Sequence, residues 1–223
     1  MTLPTCDRCE KIPSLCVCQH IRPLDTRLHV LLLQHPQEPD KHLGSARLAH
    51  LSLPNSSLKI GLSWPNIKKA LGRETSPSQW AVLHLGSGIK NATTPKGPQP
   101  VIHFVDKGGK KITPPEIPLE GIILLDGTWS QAKTLWWRNA WLLKCKRVIL
   151  TPRQKSLYKE LRKEPRKECL STIEALAECL TALGEVPQVE SQLKSVFAEL
   201  LTLQRARIQA AKERRLSTDS TQN

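Results

Sequence analysis

Two groups of residues in this sequence have the types and spacings that do chemistry. The first is Asp126-Gly127-Thr128-Trp129, which follows the apolar run at 121–125 (GIILL) without a spacer. A continuous apolar run suits a parallel strand covered on both faces. Open α/β sheets place their ligand sites at the carboxyl ends of such strands. A carboxylate there can accept a proton, and Gly127 permits close backbone approach. The helix that Thr128 or Ser130 would cap offers N–H donors at its start, and Trp129 offers a flat face for a base. The bland alternative makes Asp126 a cap and Trp129 a core residue. The second group is Cys6, Cys9, Cys16 and Cys18, spaced C-x2-C-x6-C-x-C. Four thiolates so close in sequence match a tetrahedral structural zinc site, with His20 as a reserve ligand. Four protein ligands leave no open position for catalysis, so the metal's expected work is to fold a segment too small for its own core. Cys145, Cys169 and Cys179 are scattered and read as small buried apolar residues.

The elements that must position these groups alternate strand and helix. Residues 27–34 read as a buried strand that ends in the polar loop HPQEPDK, where His35 and Glu38 are second-tier site residues. Residues 45–53 have helical spacing, and 54–80 are mixed, with a loop at Trp64-Pro65. A short strand is predicted at 81–85, and another at 101–105 inside the long, irregular, basic segment 86–118. After 121–125 a helix runs on through about residue 143, followed by a strand at 147–150. Residues 170–184 form a helix opened by Ser171-Thr172, with Glu174 in its first turn. A basic amphipathic helix at 196–215 is followed by a tail expected to be disordered. The class is α/β.

Composition narrows the partners. Thirty-three Lys and Arg against twenty Asp and Glu give a net charge of +13, a field that attracts polyanions and makes nucleic acid the natural partner. The segment 90–111, the Cys head and the helix at 205–215 are the expected phosphate contacts. Tryptophan is over-used, six against two Phe and one Tyr. Four of the six cluster at Trp129, Trp136, Trp137 and Trp141. No targeting segment is visible and no apolar run is long enough to span a bilayer. The expected location is therefore cytoplasmic, with the nucleus as the alternative and the thiols reduced. The oligomeric state stays open.

The stretch 124–142 (LLDGTWSQAKTLWWRNAWL) resembles the D-x-T-W signature of the DTW-domain family of tRNA-uridine aminocarboxypropyltransferases. Three more segments resemble family motifs in the same order: the Cys head, 33–53 with its H-P-x-E, and 162–177 with R-K-x-P and S-T-x-E-A. The resemblance implies transfer of the 3-amino-3-carboxypropyl group of S-adenosylmethionine (SAM) to the imino nitrogen of a uridine in tRNA. The products would be 3-(3-amino-3-carboxypropyl)uridine and methylthioadenosine. It implies a SPOUT-like parallel sheet with a C-terminal trefoil knot, beside the small zinc-binding segment. The expected division is 1–25 for the head, 26–205 for the catalytic domain and 206–223 for the basic helix end and tail. For that reaction Asp126, Thr128 and Trp129 are the expected catalytic residues, Asp126 being the candidate base because a carboxylate beside the imino nitrogen can accept its proton. Leu125, Gly127, Arg162, Ser171, Thr172 and Glu174 form the expected SAM-binding set. Arg162 or Lys163 would grip the carboxylate of SAM and Glu174 its ammonium group. The competing readings are a SPOUT-like RNA methyltransferase, a non-catalytic, zinc-containing RNA-binding protein, and the same transfer made to ribosomal RNA rather than tRNA.

Overall fold

The computed structural model describes residues 4–38, 42–83, 101–152, 156–158, 161 and 170–219. Six strands form one sheet: β1 (His29–Gln34), β2 (Ser56–Ile60), β3 (Trp80–Leu83), β4 (Val101–Val105), β5 (Gly121–Asp126) and β6 (Lys146–Thr151), in the order β2-β1-β5-β3-β6-β4. The first five strands in that order run parallel, and β4 pairs antiparallel with β6 at the edge. An otherwise parallel sheet commonly carries such an antiparallel edge strand. Much of the connection from β6 to the next helix lies outside the described residues, as do Arg162, Lys163 and Cys169.

The continuous apolar strands are explained by helices on both faces. From β1, Val30 and Leu32 enter one core while Leu31 and Leu33 enter the other; from β5, Ile122 and Leu124 divide from Ile123 and Leu125 in the same way. The first face is covered by α1 (Ala46–Ser52), α4 (Thr172–Ala182), the first half of α5 (Pro187–Asp219) and the Cys head. The second is covered by α2 (Ile67–Leu71) and α3 (Trp129–Arg138). α5 buries Val189, Leu193, Val196, Phe197, Leu200 and Leu201 at helical spacing. Beyond that stripe it runs on through Asp219, into the tail expected to be disordered. The run from Arg205 to Arg214 is rich in strong helix formers, which carry the helix past its last buried residue.

α3 stops at Arg138, short of the expected end near residue 143. The cause is Asn139, fully buried, whose amide donates to the carbonyls of Leu62 (3.0 Å) and Leu135 (2.7 Å) and accepts from Trp64 N–H (2.8 Å). That side chain pins the loop before α2 against the end of α3, and a 3-10 turn follows over Ala140–Lys144.

Candidate active site at the carboxyl edge of the sheet

β1 and β5 end side by side, with Gln34 in register with Asp126. The ladder continues one step further, His35 N–H donating to the Asp126 carbonyl at 3.0 Å. Asp126 is 5% exposed and its carboxylate is held from two directions. Gln34 Nε2 donates to Oδ2 at 2.7 Å, and the Thr172 hydroxyl donates to Oδ1. Three motif segments far apart in sequence thus meet at one carboxylate: the end of β1, the end of β5 and the start of α4.

Gly127 and Thr128 turn the chain from β5 into α3. A Cβ on Gly127 would lie 2.8 Å from Gln131 Cβ, so a side chain there would push the first turn of α3 away. Thr128 is the N-cap: its Oγ1 accepts from Gln131 N–H at 3.3 Å, and Gln131 Oε1 accepts from Thr128 N–H at 2.7 Å, a reciprocal capping box. Gln131 also donates to Gln37 Oε1 at 3.0 Å, linking the turn to the loop after β1. Trp129 stands half-buried at the first position of α3. The Leu125 side chain packs into the core on the α3 side.

α4 begins in the same neighbourhood. Ser171 is its N-cap, and its hydroxyl both accepts from Glu174 N–H and donates to Glu174 Oε2. The starts of α3 and α4 carry the partial positive charge of helix N-termini, which favours anionic groups. Glu174 itself is committed elsewhere. Its Oε2 accepts from Ser156 Oγ (2.8 Å), Ser171 N–H (3.0 Å) and Ser171 Oγ (2.6 Å), and Oε1 from Leu157 N–H (2.7 Å). These bonds make it a clasp that fastens residues 156–157 to the start of α4. Of the expected site residues, the structure gathers Asp126, Gly127, Thr128, Trp129 and Thr172 at the edge, with Ser171 beside them as cap. Arg162 lies outside the described residues.

Sequence reasoning missed two residues. Gln34 carried a readable signal, a lone polar residue closing a buried apolar strand. Lys11 had none: it is 5% exposed, and its carbonyl accepts from Cys6 N–H at 2.8 Å. Burial pulls its ammonium group down to about 8, against the opposing pull of the Cys9, Asp126 and Glu10 charges. The head therefore sets a cation within the field of Asp126.

In that head the sulfur atoms of Cys6, Cys9, Cys16 and Cys18 lie within 4.8 Å of one another. The Cys6–Cys18 separation is 3.7 Å and the Cys9–Cys16 separation 3.8 Å. A tetrahedral zinc with Zn–S bonds of about 2.3 Å has sulfur–sulfur edges of about 3.8 Å, so the four thiols fit the metal. His20 does not join them; its Nε2 pairs with Gln19 Nε2 at 3.1 Å. The head is docked by an Arg47–Glu10 ion pair at 2.6 Å and by Gln192 donating to the His20 carbonyl at 2.9 Å. Cys145 and Cys179 are buried in the cores as expected, and burial pushes both thiols up to about 12.

A mostly parallel sheet, a buried carboxylate between two helix starts at its carboxyl edge and a four-thiol cluster that fits zinc define an α/β protein with a candidate ligand site at the sheet edge. The DTW-domain profile matches residues 3–205, and the chain belongs to that family. It is similar to tRNA-uridine aminocarboxypropyltransferase 2 of Macaca fascicularis, at 28% identity over 211 residues, covering 90% of this chain and 63% of that protein. The Mus musculus protein of the same name is 29% identical, with the same coverage. tRNA-uridine aminocarboxypropyltransferase A of Arabidopsis thaliana is 28% identical, covering 94% of this chain and 84% of that protein. The chain thus spans less than two thirds of the length of the mammalian relatives. No solved structure matches it. Among the described residues no helix is long and apolar enough to cross a membrane.

Proposed function

We propose that this protein transfers the 3-amino-3-carboxypropyl group of SAM to the imino nitrogen of a uridine in tRNA. The observation that carries the reading is the meeting of three family motifs at one carboxylate, Asp126, held by Gln34 and Thr172. The names of the relatives supply the substrate and the group transferred.

In this reading the uridine nitrogen forms a bond to the aminocarboxypropyl carbon as the carbon–sulfur bond breaks. The sulfur keeps the electron pair and leaves as neutral methylthioadenosine. Asp126 accepts the imino proton as the new bond forms, and the Gln34 and Thr172 bonds keep its oxygens aimed while it does so. The selectivity problem is one of positioning, since SAM also carries a methyl carbon on the same sulfonium. Trp129 stacks on a base, and the starts of α3 and α4 favour the anionic end of the transferred group. Glu174, committed to its clasp, supports Thr172 rather than touching SAM. The Cys head holds a structural zinc. A SPOUT-like knot between β6 and α4 and a cytoplasmic or nuclear location go with this reading.

The test is incubation of the purified protein with unmodified tRNA and SAM labelled in the aminocarboxypropyl carbons, followed by mass spectrometry of the nucleosides. Labelled uridine together with free methylthioadenosine is the expected result. A methylated nucleoside instead would replace this reading by a methyltransferase. RNA binding with no modification and no SAM binding would leave an RNA-binding module.

A further inference from the structure

We propose that the exposed side of α3 is a stacking platform for an unpaired base of the RNA substrate, with Trp137 as its face. The proposal deepens the reading above, on which it rests for the identity of the polyanion. Trp137 is 77% exposed, more than any other large hydrophobic residue among the described ones. An indole held out in water on a rigid helix is an unusual use of the residue type most enriched at binding hot spots.

The helix beneath it is firmly seated. Ala132 and Leu135 bury the opposite side of α3. The neighbouring Trp136 packs against the second core, with the Arg147 guanidinium 5.0 Å from its ring centroid. Trp137 is therefore presented by a fixed scaffold, as a stacking surface must be.

Its surroundings select the ligand. Ser130, Lys133 and Trp137 are exposed at i, i+3 and i+7, one stripe of the helix, and Arg138 and Lys144 are exposed just beyond. From residue 127 to residue 159 the chain holds no Asp or Glu, and residues 127–147 hold five Lys and Arg. Aromatic face plus cations without acids is the pairing that binds single-stranded nucleic acid: the ring takes a base, the cations take the adjoining phosphates. The stripe leads back to the active site. Trp137 lies eight residues, about 12 Å of helix rise, beyond Trp129. A strand whose reacting base sits at Asp126 reaches Trp137 within a few nucleotides.

The test uses the full-length protein and fluorescently labelled unmodified tRNA, with affinity read by anisotropy at one fixed salt concentration. W137A is expected to weaken binding about 5- to 140-fold, equivalent to about 1–3 kcal/mol. W137F is expected to recover most of the loss. Thermal unfolding and SAM affinity stay at wild-type values, because the side chain is exposed. RNA should also quench tryptophan emission in wild type, and less so in W137F. Affinity of W137A within twofold of wild type overturns the proposal. Unchanged RNA affinity with altered sedimentation of the protein alone also overturns it, in favour of a protein–protein contact. Weakened binding by W137A in a protein that modifies no RNA would sink the proposed reaction and leave the platform standing.

Discussion

If Glu174 is a clasp and not a ligand for the ammonium group of SAM, its removal must act on stability before ligand binding. In E174Q the three donors at Oε2, from Ser156, Ser171 N–H and Ser171 Oγ, retain the amide oxygen at that position. The amide nitrogen must then face Leu157 N–H, which now donates to Oε1 at 2.7 Å. Two donors opposed in a buried place cost about 1–3 kcal/mol. E174A strips all four bonds from a residue that is 2% exposed. That belongs with breaking a buried charged network, about 3–5 kcal/mol. A domain of this size loses about 2–4 °C of Tm per kcal/mol. E174Q should therefore melt about 2–12 °C lower and E174A about 6–20 °C lower, read by circular dichroism without ligand. Calorimetry below the transition should find SAM affinity in E174Q near wild type. An E174A protein that melts within about 1 °C of wild type but no longer binds SAM would refute the clasp. The carboxylate would then belong to the ligand, as the sequence alone suggests.

Asp126→Asn should abolish transfer while calorimetry still detects SAM binding; wild-type turnover would remove Asp126 as the proton acceptor. Gly127→Ala forces a Cβ to within 2.8 Å of Gln131 Cβ, an overpacking expected to cost about 1–3 kcal/mol in thermal unfolding. An unchanged melting curve would mean that the turn gives way freely. Iodoacetamide should leave Cys145 and Cys179 unlabelled in the native protein, both thiols being buried and pushed up to about 12. Labelling of either before the protein unfolds would contradict that burial.

The strands were legible wherever burial on both faces left an apolar run with a clear end. β5 is the best case, and β4 was found with its observed ends. β2 (SSLKI) was not, because an edge strand with half-buried residues shows neither a run nor a clean alternation. α2 was overlooked although its signals are present: Asn66 accepts from Lys69 N–H at 2.9 Å as N-cap, and Gly72 ends the helix in the left-handed region at φ 82°. Five residues between such caps are too few for a visible period. The antiparallel direction of β4 is not encoded in its own composition; it is a property of how the chain returns to β6. The end of α3 was misplaced for a related reason. Asn139 is an ordinary helix residue until the loop at Leu62–Trp64 is folded against it.

The site divides along the same line. Asp126, Gly127 and Thr128 were readable because strand end, turn and cap are local events. Glu174 was readable as a capping-box residue from Ser171 three positions earlier, yet its partners Ser156 and Leu157 are tertiary, so its role as a clasp was hidden. Lys11 is the extreme case. Beside a C-x2-C pair a lysine reads as a solvated charge, and a buried ammonium would be costly without opposing charge. The opposing charge comes first from Cys9, then from Asp126, more than a hundred residues away, and from Glu10, which is itself paired with Arg47 of α1. The Arg47–Glu10 ion pair fastens the Cys6–Lys11 turn to α1. The burial of Lys11 is thus a consequence of how the head docks, which no residue beside it in the sequence announces.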